Sequence, residues 1–391
     1  MKCTIREVKK HFFDGAHRMR SPEETRGIVE PIMDQIGVTG VIDITSCDRL
    51  GIPCFAANRI TPVPGSFRFH PGKGLDPVQA RVSAMVDAVE KFSAERYGQP
   101  MELAGFDELG AFRAVDPEDL FPTRKPNDDE KLQWVPGYDL LYNEEVLVPA
   151  NAVFHPYNAG GMAPPIFKSD PHGLAAGNVI EEAILHAILE VIETDALSCA
   201  DRERSMGTRL KVDSAGPVRD LLDIYSDAGI DIHLWLLEGR TSIPTIAAAA
   251  DDTVARDPGL LLLGSSCHPN PVIACLQALT EVARNRAARL YKGEFHPERE
   301  LILQKAGYER MKRINKDWFS RAGWIDLSDL PDKSTSRIDE DIRLVTEELR
   351  PHVDRICVCD LSRTIFPVVR VVIPGLEVSH LDKERIRKGP A

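Results

Sequence analysis

The chain has 391 residues, of which 43% are hydrophobic and 28% are charged, and its formal net charge is −12. This length and composition exclude intrinsic disorder and a disulfide-stapled miniprotein, and they are enough to bury a large core. The acidic balance argues against nucleic-acid binding, because no overall positive field attracts phosphate groups.

The first residues, MKCTIREVKK, carry charge throughout and lack the apolar stretch that is typical of a signal peptide. No apolar run reaches the roughly 18 residues that a membrane helix needs. The eight cysteines form no Cys-x-x-Cys pair, so we expect free thiols in a reducing compartment. We therefore predict a cytoplasmic protein that does not contact a membrane.

The pattern of hydrophobic and turn residues predicts strands in both halves of the chain. They are expected, in chain order, at 38–48, 52–61, 134–141, 144–154, 233–238, 245–251 and within 355–375, with a hairpin between the third and fourth. Segments 98–132 and 156–177 are rich in Pro, Gly or charge, and they are predicted to be connections.

Helices are predicted at 22–36, 77–97, 178–201 and 272–291, and residues 297–350 are expected to be mostly helical. Asp76 is the expected N-cap of the second helix, which follows a loop containing Lys73 between two glycines. Strands and helices mix without strict βαβ alternation, so the predicted fold class is α+β in one large domain.

Each of the three long helices places polar groups on one stripe among apolar residues. The stripes comprise Ser83, Asp87 and Glu90 on the first, Asn178, Glu182, His186, Glu190 and Glu193 on the second, and Gln277, Glu281 and Arg284 on the third. A solvated face of an amphipathic helix is the ordinary explanation of such a stripe. An acidic stripe with few balancing lysines is less typical of a surface.

Carboxylates about 5 Å apart repel by about 3 kcal/mol at an effective dielectric constant near 20, so a cation is expected between them. Hard oxygen ligands suit Mg²⁺ or Ca²⁺, and Mg²⁺ usually binds together with phosphate. A di-iron site would need Glu-x-x-His on two helices, but His186 follows Glu182 by four residues and no second copy exists. Walker A and Gly-x-Gly-x-x-Gly motifs are absent. The sequence thus favours an unconventional Mg²⁺-dependent nucleotide site.

These motifs resemble those of the YcaO family, whose members use ATP to activate backbone amides. SAMVDAVEK is similar to Ser-x3-Glu-x2-Glu-Arg, with Asp87 and Lys91 in place of the first Glu and the Arg. NVIEEAILHAILEVIET resembles Asn-x3-Glu-x7-Glu-x2-Glu-Arg, with Thr194 for Arg, and QALTE resembles Arg-Ala-Leu-Thr-Glu, with Gln277 for Arg. The resemblance implies a YcaO domain over 35–391 after an N-terminal segment, 1–34.

The resemblance also implies that ATP and Mg²⁺ are the cofactors. Asp87, Glu90, Glu190 and Glu193 would hold Mg²⁺, and the last three would be the catalytic carboxylates. Nucleotide contacts would come from Lys73, Ser83, Asn178, Glu182, Gln277, Glu281 and Arg284. Arg284 and Arg286 would supply the charge that Gln277 lacks. A solvated loop lysine is the alternative explanation of Lys73.

Attack by an internal Ser, Thr or Cys gives an azoline in this family, whereas attack by external sulfide gives a thioamide. The segments ERMKRINKDWF and FPVVRVVIPGLE look most like members from methanogens, and the Pro-x-Pro-x-Pro tail of azoline-forming members is not seen. The resemblance therefore implies thioamidation of a glycine in the α subunit of methyl-coenzyme M reductase. TfuA or another sulfur-delivery protein would be a partner, and a homodimer is expected.

Two alternatives stay open on the sequence alone. The first is a cyclodehydratase that forms azolines, and the second is a non-catalytic accessory protein for another modification enzyme. The set of acidic motif residues argues against the second, because a scaffold gains nothing from carboxylates that repel each other.

Overall fold

The computed structural model describes residues 4–127, 130–161, 163–291 and 297–386, and it describes only the backbone of residues 297–300. Strands and helices combine as the α+β class predicts, and they are organised around three sheets in these ranges.

The strands of the described residues are short, and most of them belong to antiparallel pairs. They are β1 (Val38–Asp43), β2 (Cys54–Arg59), β3 (Phe69–Lys73), β4 (Glu102–Gly105), β5 (Lys131–Asp139), β6 (Glu144–Pro149), β7 (Leu174–Ala176), β8 (Thr208–Lys211), β9 (Ile230–Leu236), β10 (Thr245–Asp252), β11 (Leu262–Cys267), β12 (Trp324–Asp326), β13 (Cys357–Asp360) and β14 (Val368–Val372).

The helices of the described residues include three that are much longer than the rest. In chain order the helices are α1 (Pro22–Val29), α2 (Pro77–Ala94), α3 (Phe106–Leu109), α4 (Ala150–Val153), α5 (Ile180–Glu203), α6 (Pro217–Asp227), α7 (Pro271–Leu290), α8 (Pro297–Ala306), α9 (Tyr308–Ile314) and α10 (Ile338–Leu349).

The first sheet has the order β1-β2-β3, and the second has the order β11-β10-β9-β8-β12. The third has the order β4-β5-β13-β14-β7, with β6 also paired to β5. The β5–β6 register runs from Trp134 opposite Pro149 to Asp139 opposite Glu144, which confirms the predicted hairpin. Only the pair of β8 with β12 is parallel among the described strands.

The three long helices occupy the space between these sheets. Helix α2 lies on β2 and β3 and also contacts β7. Helix α5 packs on β14 and β7 of the third sheet and on β11 and β10 of the second. Helix α7 packs on β10 and β11 and reaches β3. The stripes of polar residues on these helices therefore come to a common region of the molecule.

Two glycines allow strands to approach these helices closely. A Cβ atom on Gly72 of β3 would lie 2.1 Å from the backbone nitrogen of Ala84 on α2. A Cβ atom on Gly264 of β11 would lie 2.4 Å from the carbonyl oxygen of Ala278 on α7. Real side chains do not tolerate such distances to backbone atoms, so only glycine fits at either position. Since Lys73 follows Gly72, the close contact between Gly72 and α2 also fixes the position of the Lys73 backbone.

The N-cap predicted at Asp76 is confirmed. Asp76 precedes α2, and its side chain accepts hydrogen bonds from the backbone N–H groups of Val78 and Gln79. Ser21 and Glu24 form a capping box at the start of α1. The predicted helix over 22–36 continues after α1 only as two 3-10 turns, at Glu30–Ile32 and Asp34–Ile36.

Three predicted loop assignments are wrong. Lys73 is the last residue of strand β3 rather than part of a loop. Segment 98–132 contains β4 and α3 and buries side chains such as Val115 and Leu120. Segment 156–177 contains β7. Strands β3, β4 and β7 are short and pair with β2, β5 and β14, and local patterning carries little signal for such pairing.

No helix in the described ranges is both long and apolar enough to cross a membrane. The described cysteines are free, as predicted, whereas Cys3 lies outside the described residues.

We predict that Gly72→Ala lowers the free energy of unfolding by about 2 kcal/mol, because the new methyl group would overlap the α2 backbone. Gly40→Ala on β1 is the matched control, since a Cβ atom there meets nothing within 4 Å. Urea denaturation of both variants and the wild-type protein measures the difference. Equal loss of stability in the two variants would contradict the close packing of β3 on α2.

Candidate active site

A cavity of about 320 Å³ opens where α2, α5, α7 and β3 meet. Its lining includes eight of the residues that the sequence singled out for cofactor or metal binding. These are Lys73, Ser83, Asp87, Glu90, Asn178, Glu182, Gln277 and Arg284. His186, which shares the stripe on α5, lines it as well. The structure thus brings the three separate sequence motifs to one site.

Three predicted residues, Glu190, Glu193 and Glu281, are not part of this lining, and Glu281 connects to it through Lys73 and Arg284. Glu281 accepts a hydrogen bond from Lys73 Nζ at 2.7 Å and pairs with Arg284. Glu193 accepts a hydrogen bond from the hydroxyl of Ser265 on β11. Glu190 and Glu193 lie near the middle of α5, beyond the residues of that helix that line the cavity.

Lys73 is held in the site rather than solvated. Its ammonium group also donates to the carbonyl oxygen of Gln277 at 2.8 Å, and only 21% of its side chain is exposed. Burial lowers the pKa of Lys73 more than the neighbouring Glu281 raises it. The structure therefore excludes the alternative of a solvated loop lysine.

Asp87 is surrounded by positive or hydrogen-bonding groups. His70 Nδ1 lies 2.8 Å from Asp87 Oδ2, and Lys91 Nζ lies 3.4 Å from Asp87 Oδ1. Burial alone would raise the pKa of Asp87, but Lys91 and His70 together lower it below its usual range. We therefore describe Asp87 as an ionised carboxylate.

Three other carboxyl groups, those of Glu90, Glu190 and Glu193, have raised pKa values instead. Burial raises the pKa of Glu90 to about 7 and that of Glu190 to about 8, and it also raises the pKa of Glu193. Glu90 accepts the N–H of Ala176 at 2.8 Å, and Lys91 Nζ lies 3.8 Å from Glu90. These contacts only partly offset the cost of burying negative charge beside negative charge.

A bound cation would relieve this cost, and carboxylate oxygens are the donors that Mg²⁺ prefers. In the described part of the chain, no group of three or more His, Cys, Asp or Glu side chains is arranged as a ready-made metal site. Lys91 instead neutralises Asp87 and Glu90. The donor set fits Mg²⁺ by its chemistry, and Lys91 would share these carboxylates with the ion.

The start of the chain contributes to the site. The backbone N–H of Met19 donates to Glu182 Oε2 at 2.9 Å, and the hydroxyl of Thr25 donates to Asn178 Oδ1 at 3.0 Å. Glu182 Oε1 also accepts from the backbone and side-chain nitrogens of Asn178. Two of the predicted nucleotide contacts thus also attach the N-terminal segment to α5.

Arg18 and Arg20, which sequence reasoning did not select, line the cavity from this segment. Burial lowers the pKa of Arg18, while Glu182 and Glu90 oppose this shift. The basic run HRMR, which precedes Ser21, was the sequence signal that could have identified these two arginines. His70 was also missed, because a single histidine 17 residues from Asp87 carries no motif.

Arg284 and Arg286 have different roles. Arg284 lines the cavity near Gln277, as predicted. Arg286 is fully buried and forms ion pairs with Asp48 and Asp252, at 2.7 and 3.0 Å. The expectation that Arg286 compensates for Gln277 is therefore wrong, because both carboxylates already occupy its guanidinium. Gln277 itself accepts a hydrogen bond from Ser266 Oγ at 2.7 Å.

A protein-family model described as YcaO cyclodehydratase, ATP- and Mg²⁺-binding, matches residues 71–377. An uncharacterized protein of Methanothermobacter thermautotrophicus is 41% identical over 372 residues, covering 93% of this chain and 96% of that protein. An uncharacterized protein in the tfuA 3′ region of Rhizobium leguminosarum bv. trifolii is 28% identical, covering 92% of this chain and 89% of that protein.

Solved structures with the same fold include YcaO from Methanopyrus kandleri bound with AMPPCP and Mg²⁺. It is 28% identical, with a TM-score of 0.82 and 98% coverage of both chains. A heterocyclase in complex with substrate and cofactor shares the fold at 20% identity, with a TM-score of 0.83 over 96% of this chain and 55% of that one.

We predict that, without Mg²⁺ and nucleotide, the Glu190 carboxyl group lowers the free energy of unfolding increasingly as pH rises from about 5 to 8. The pKa of Glu190, about 8 in the folded state, lies above its value of about 4.5 in the unfolded state, so between these values the folded state holds the extra proton. Glu190→Gln removes this contribution and should gain roughly 2 kcal/mol relative to wild type at pH 8.

Thermal unfolding in a chelator at several pH values measures this effect. Glu203→Gln, at the exposed end of the same helix, is the matched control. A Glu190→Gln profile that runs parallel to that of the wild type would contradict the buried acidic cluster.

Proposed function

This chain belongs to the YcaO family, and we propose that it uses ATP and Mg²⁺ to activate a backbone amide of a peptide for attack by external sulfide. The product would be a thioamide. The observation that carries this proposal is the cavity of about 320 Å³, whose lining combines arginine and lysine side chains with buried carboxylates. A triphosphate that binds with a divalent cation requires both kinds of group.

The cations of the cavity would bind the phosphate groups. Lys73 projects from the end of β3, and Arg284 projects from α7 toward the same space. Arg18 enters from the N-terminal segment. A guanidinium offers two parallel donors to a phosphate, whereas the lysine acts as a point charge. Ser83, Asn178 and Gln277 would add neutral hydrogen-bonding groups around the nucleotide.

Asp87, Glu90, Glu190 and Glu193 would hold Mg²⁺, with Glu90, Glu190 and Glu193 as the catalytic carboxylates. When bound, the ion neutralises phosphate charge, and ATP supplies the phosphoryl group. The protein's own part is to orient these carboxylates. His70 holds Asp87, and the N–H of Ala176 holds Glu90. Glu182 and Glu281 would position Asn178 and Lys73 through the hydrogen bonds described above.

Phosphoryl transfer depends mainly on positioning and electrostatics, and a partly buried site strengthens both. The amide oxygen becomes a good acceptor only after the nucleophile has added and an oxyanion has formed. We therefore propose that cleavage of ATP follows addition of the nucleophile, which requires the peptide and the nucleophile together.

The choice of sulfide is supported by relatives from methanogens at 41% and 28% identity. We propose a glycine of the methyl-coenzyme M reductase α subunit as the acceptor. The name of the Rhizobium relative, which places it next to tfuA, supports TfuA or another sulfur-delivery protein as partner. We further propose that the enzyme works in the cytoplasm as a homodimer.

Azoline formation is the second candidate. The family description names a cyclodehydratase, and the same cavity would serve either nucleophile. The two reactions differ in their products, so one measurement separates them.

We predict that incubation of the recombinant α subunit with ATP, Mg²⁺ and sulfide gives a product about 16 Da heavier, because sulfur replaces one oxygen. ATP consumption should require both sulfide and the α subunit. Mass spectrometry of the digested product locates the change, and omission of sulfide is the control. A sulfide-independent loss of about 18 Da, the mass of water, would favour azoline formation instead.

A further inference from the structure

A second cavity, of about 500 Å³, lies at the C-terminal end of α5, outside the nucleotide cavity. Its walls are the end of α5, the turn after α9 and the segment 377–386. Apolar side chains on the walls include Met206, Trp318 and Ile386, and His380 and Asp201 supply polar groups. This size and mixture of groups are typical of a site for a small molecule or a peptide segment.

His380 and Asp201 form a hydrogen-bonded pair in this cavity. His380 Nδ1 lies 3.0 Å from Asp201 Oδ2. Burial would raise the pKa of Asp201, but hydrogen bonds from His380 and Lys383 lower it, so Asp201 is a carboxylate that accepts the Nδ1 proton. In a neutral imidazole that donates its Nδ1 proton to Asp201, the other ring nitrogen, Nε2, carries the lone pair. The His380 side chain is 28% exposed, and no described group hydrogen-bonds to its Nε2.

The segment that carries His380 is fixed firmly to α5. The backbone N–H of His380 donates to Ser198 Oγ at 3.0 Å, and that hydroxyl donates to the carbonyl oxygen of Thr194 at 2.7 Å. The backbone N–H of Glu377 donates to Asp195 at 2.7 Å. The imidazole is therefore positioned by a helix rather than by a loose tail, as a reacting group needs to be.

His380 also lies near the acidic cluster. Its positive form would stabilise the Glu193 carboxylate and lower the pKa of Glu193. Asp201 follows Glu193 by eight residues on α5, which corresponds to about 12 Å along the helix axis. The second cavity therefore lies at the end of the same helix that carries Glu190 and Glu193.

We propose that this second cavity binds the acceptor peptide and that His380 is the general base of the reaction, with Asp201 as its positioning residue. The inference rests on the proposed function for its choice of nucleophile. Hydrosulfide adds to the amide carbon, and the resulting oxyanion takes the γ-phosphoryl group of ATP, releasing ADP. His380 Nε2 then removes the S–H proton, that electron pair forms the C=S bond, and phosphate leaves with the C–O electron pair. The proton passes from His380 to the released phosphate.

The test compares wild type, His380→Gln and His380→Ala, with His352→Gln as the matched control. His352 is an exposed histidine outside both cavities. With the α subunit, sulfide, ATP and Mg²⁺, both His380 variants should lose about 100-fold in kcat, the usual scale for a general base. Added imidazole should restore part of the activity of His380→Ala only. ATP binding by calorimetry should stay within twofold of wild type.

A second measurement does not depend on turnover. Diethyl pyrocarbonate modifies imidazole nitrogens that it can reach, so mass spectrometry should show His380 modified and the α subunit slowing that reaction. The modification of His352 should not change.

Turnover of His380→Gln within twofold of wild type would overturn the inference, as would equal modification of His380 with and without the α subunit. A wild-type product that has lost water instead of gaining sulfur would contradict only the choice of sulfide as the nucleophile. A base at His380 would then remove the amide N–H proton, and the same loss of kcat would still support it.

Discussion

Burial of several carboxylates around two lysines is the interaction on which the rest of the site depends. Glu90, Glu190 and Glu193 have raised pKa values because they are buried beside one another, whereas Asp87 stays ionised between Lys91 and His70. Buried charge of one sign costs free energy unless a partner of the opposite sign is present. The protein's own lysines supply part of the opposite charge. The negative charge that they leave uncompensated favours binding of a divalent cation together with an anionic nucleotide.

The fold brings segments that are far apart in sequence to that carboxylate cluster. Strand β3 can deliver Lys73 because Gly72 lets it lie against the backbone of α2. Helix α5 contributes carboxylates along its length, and the N-terminal segment attaches to its first turn through Met19 and Thr25. Arg286 of α7 forms buried ion pairs with Asp48 and Asp252 and does not line the cavity. Positive and negative groups therefore reach the cavity from elements that are far apart in sequence.

Local signals were sufficient for much of this arrangement. The Asp76 cap, the β5–β6 hairpin and the polar stripes of the three long helices follow from the spacing of residues along single elements. Pairing between distant segments was not predictable in this way. Arg18 reaches the site across the sequence, and Arg286 could not be assigned to Asp48 from helix periodicity, because that partner lies 238 residues away. His380 was overlooked for the same reason, since its partner Asp201 precedes it by 179 residues.

We propose that the carboxylates of α2 and α5 bind a divalent cation together with the nucleotide. Anomalous diffraction from crystals grown with Mn²⁺ and AMPPCP can locate this cation, because Mn²⁺ takes the same oxygen ligands as Mg²⁺ and can be identified on its own. We expect anomalous peaks roughly 2.1 Å from oxygens of Asp87, Glu90, Glu190 or Glu193, with the AMPPCP phosphates beside Lys73 and Arg284. Nucleotide bound with its phosphates away from these carboxylates, and no metal peak beside them, would contradict it.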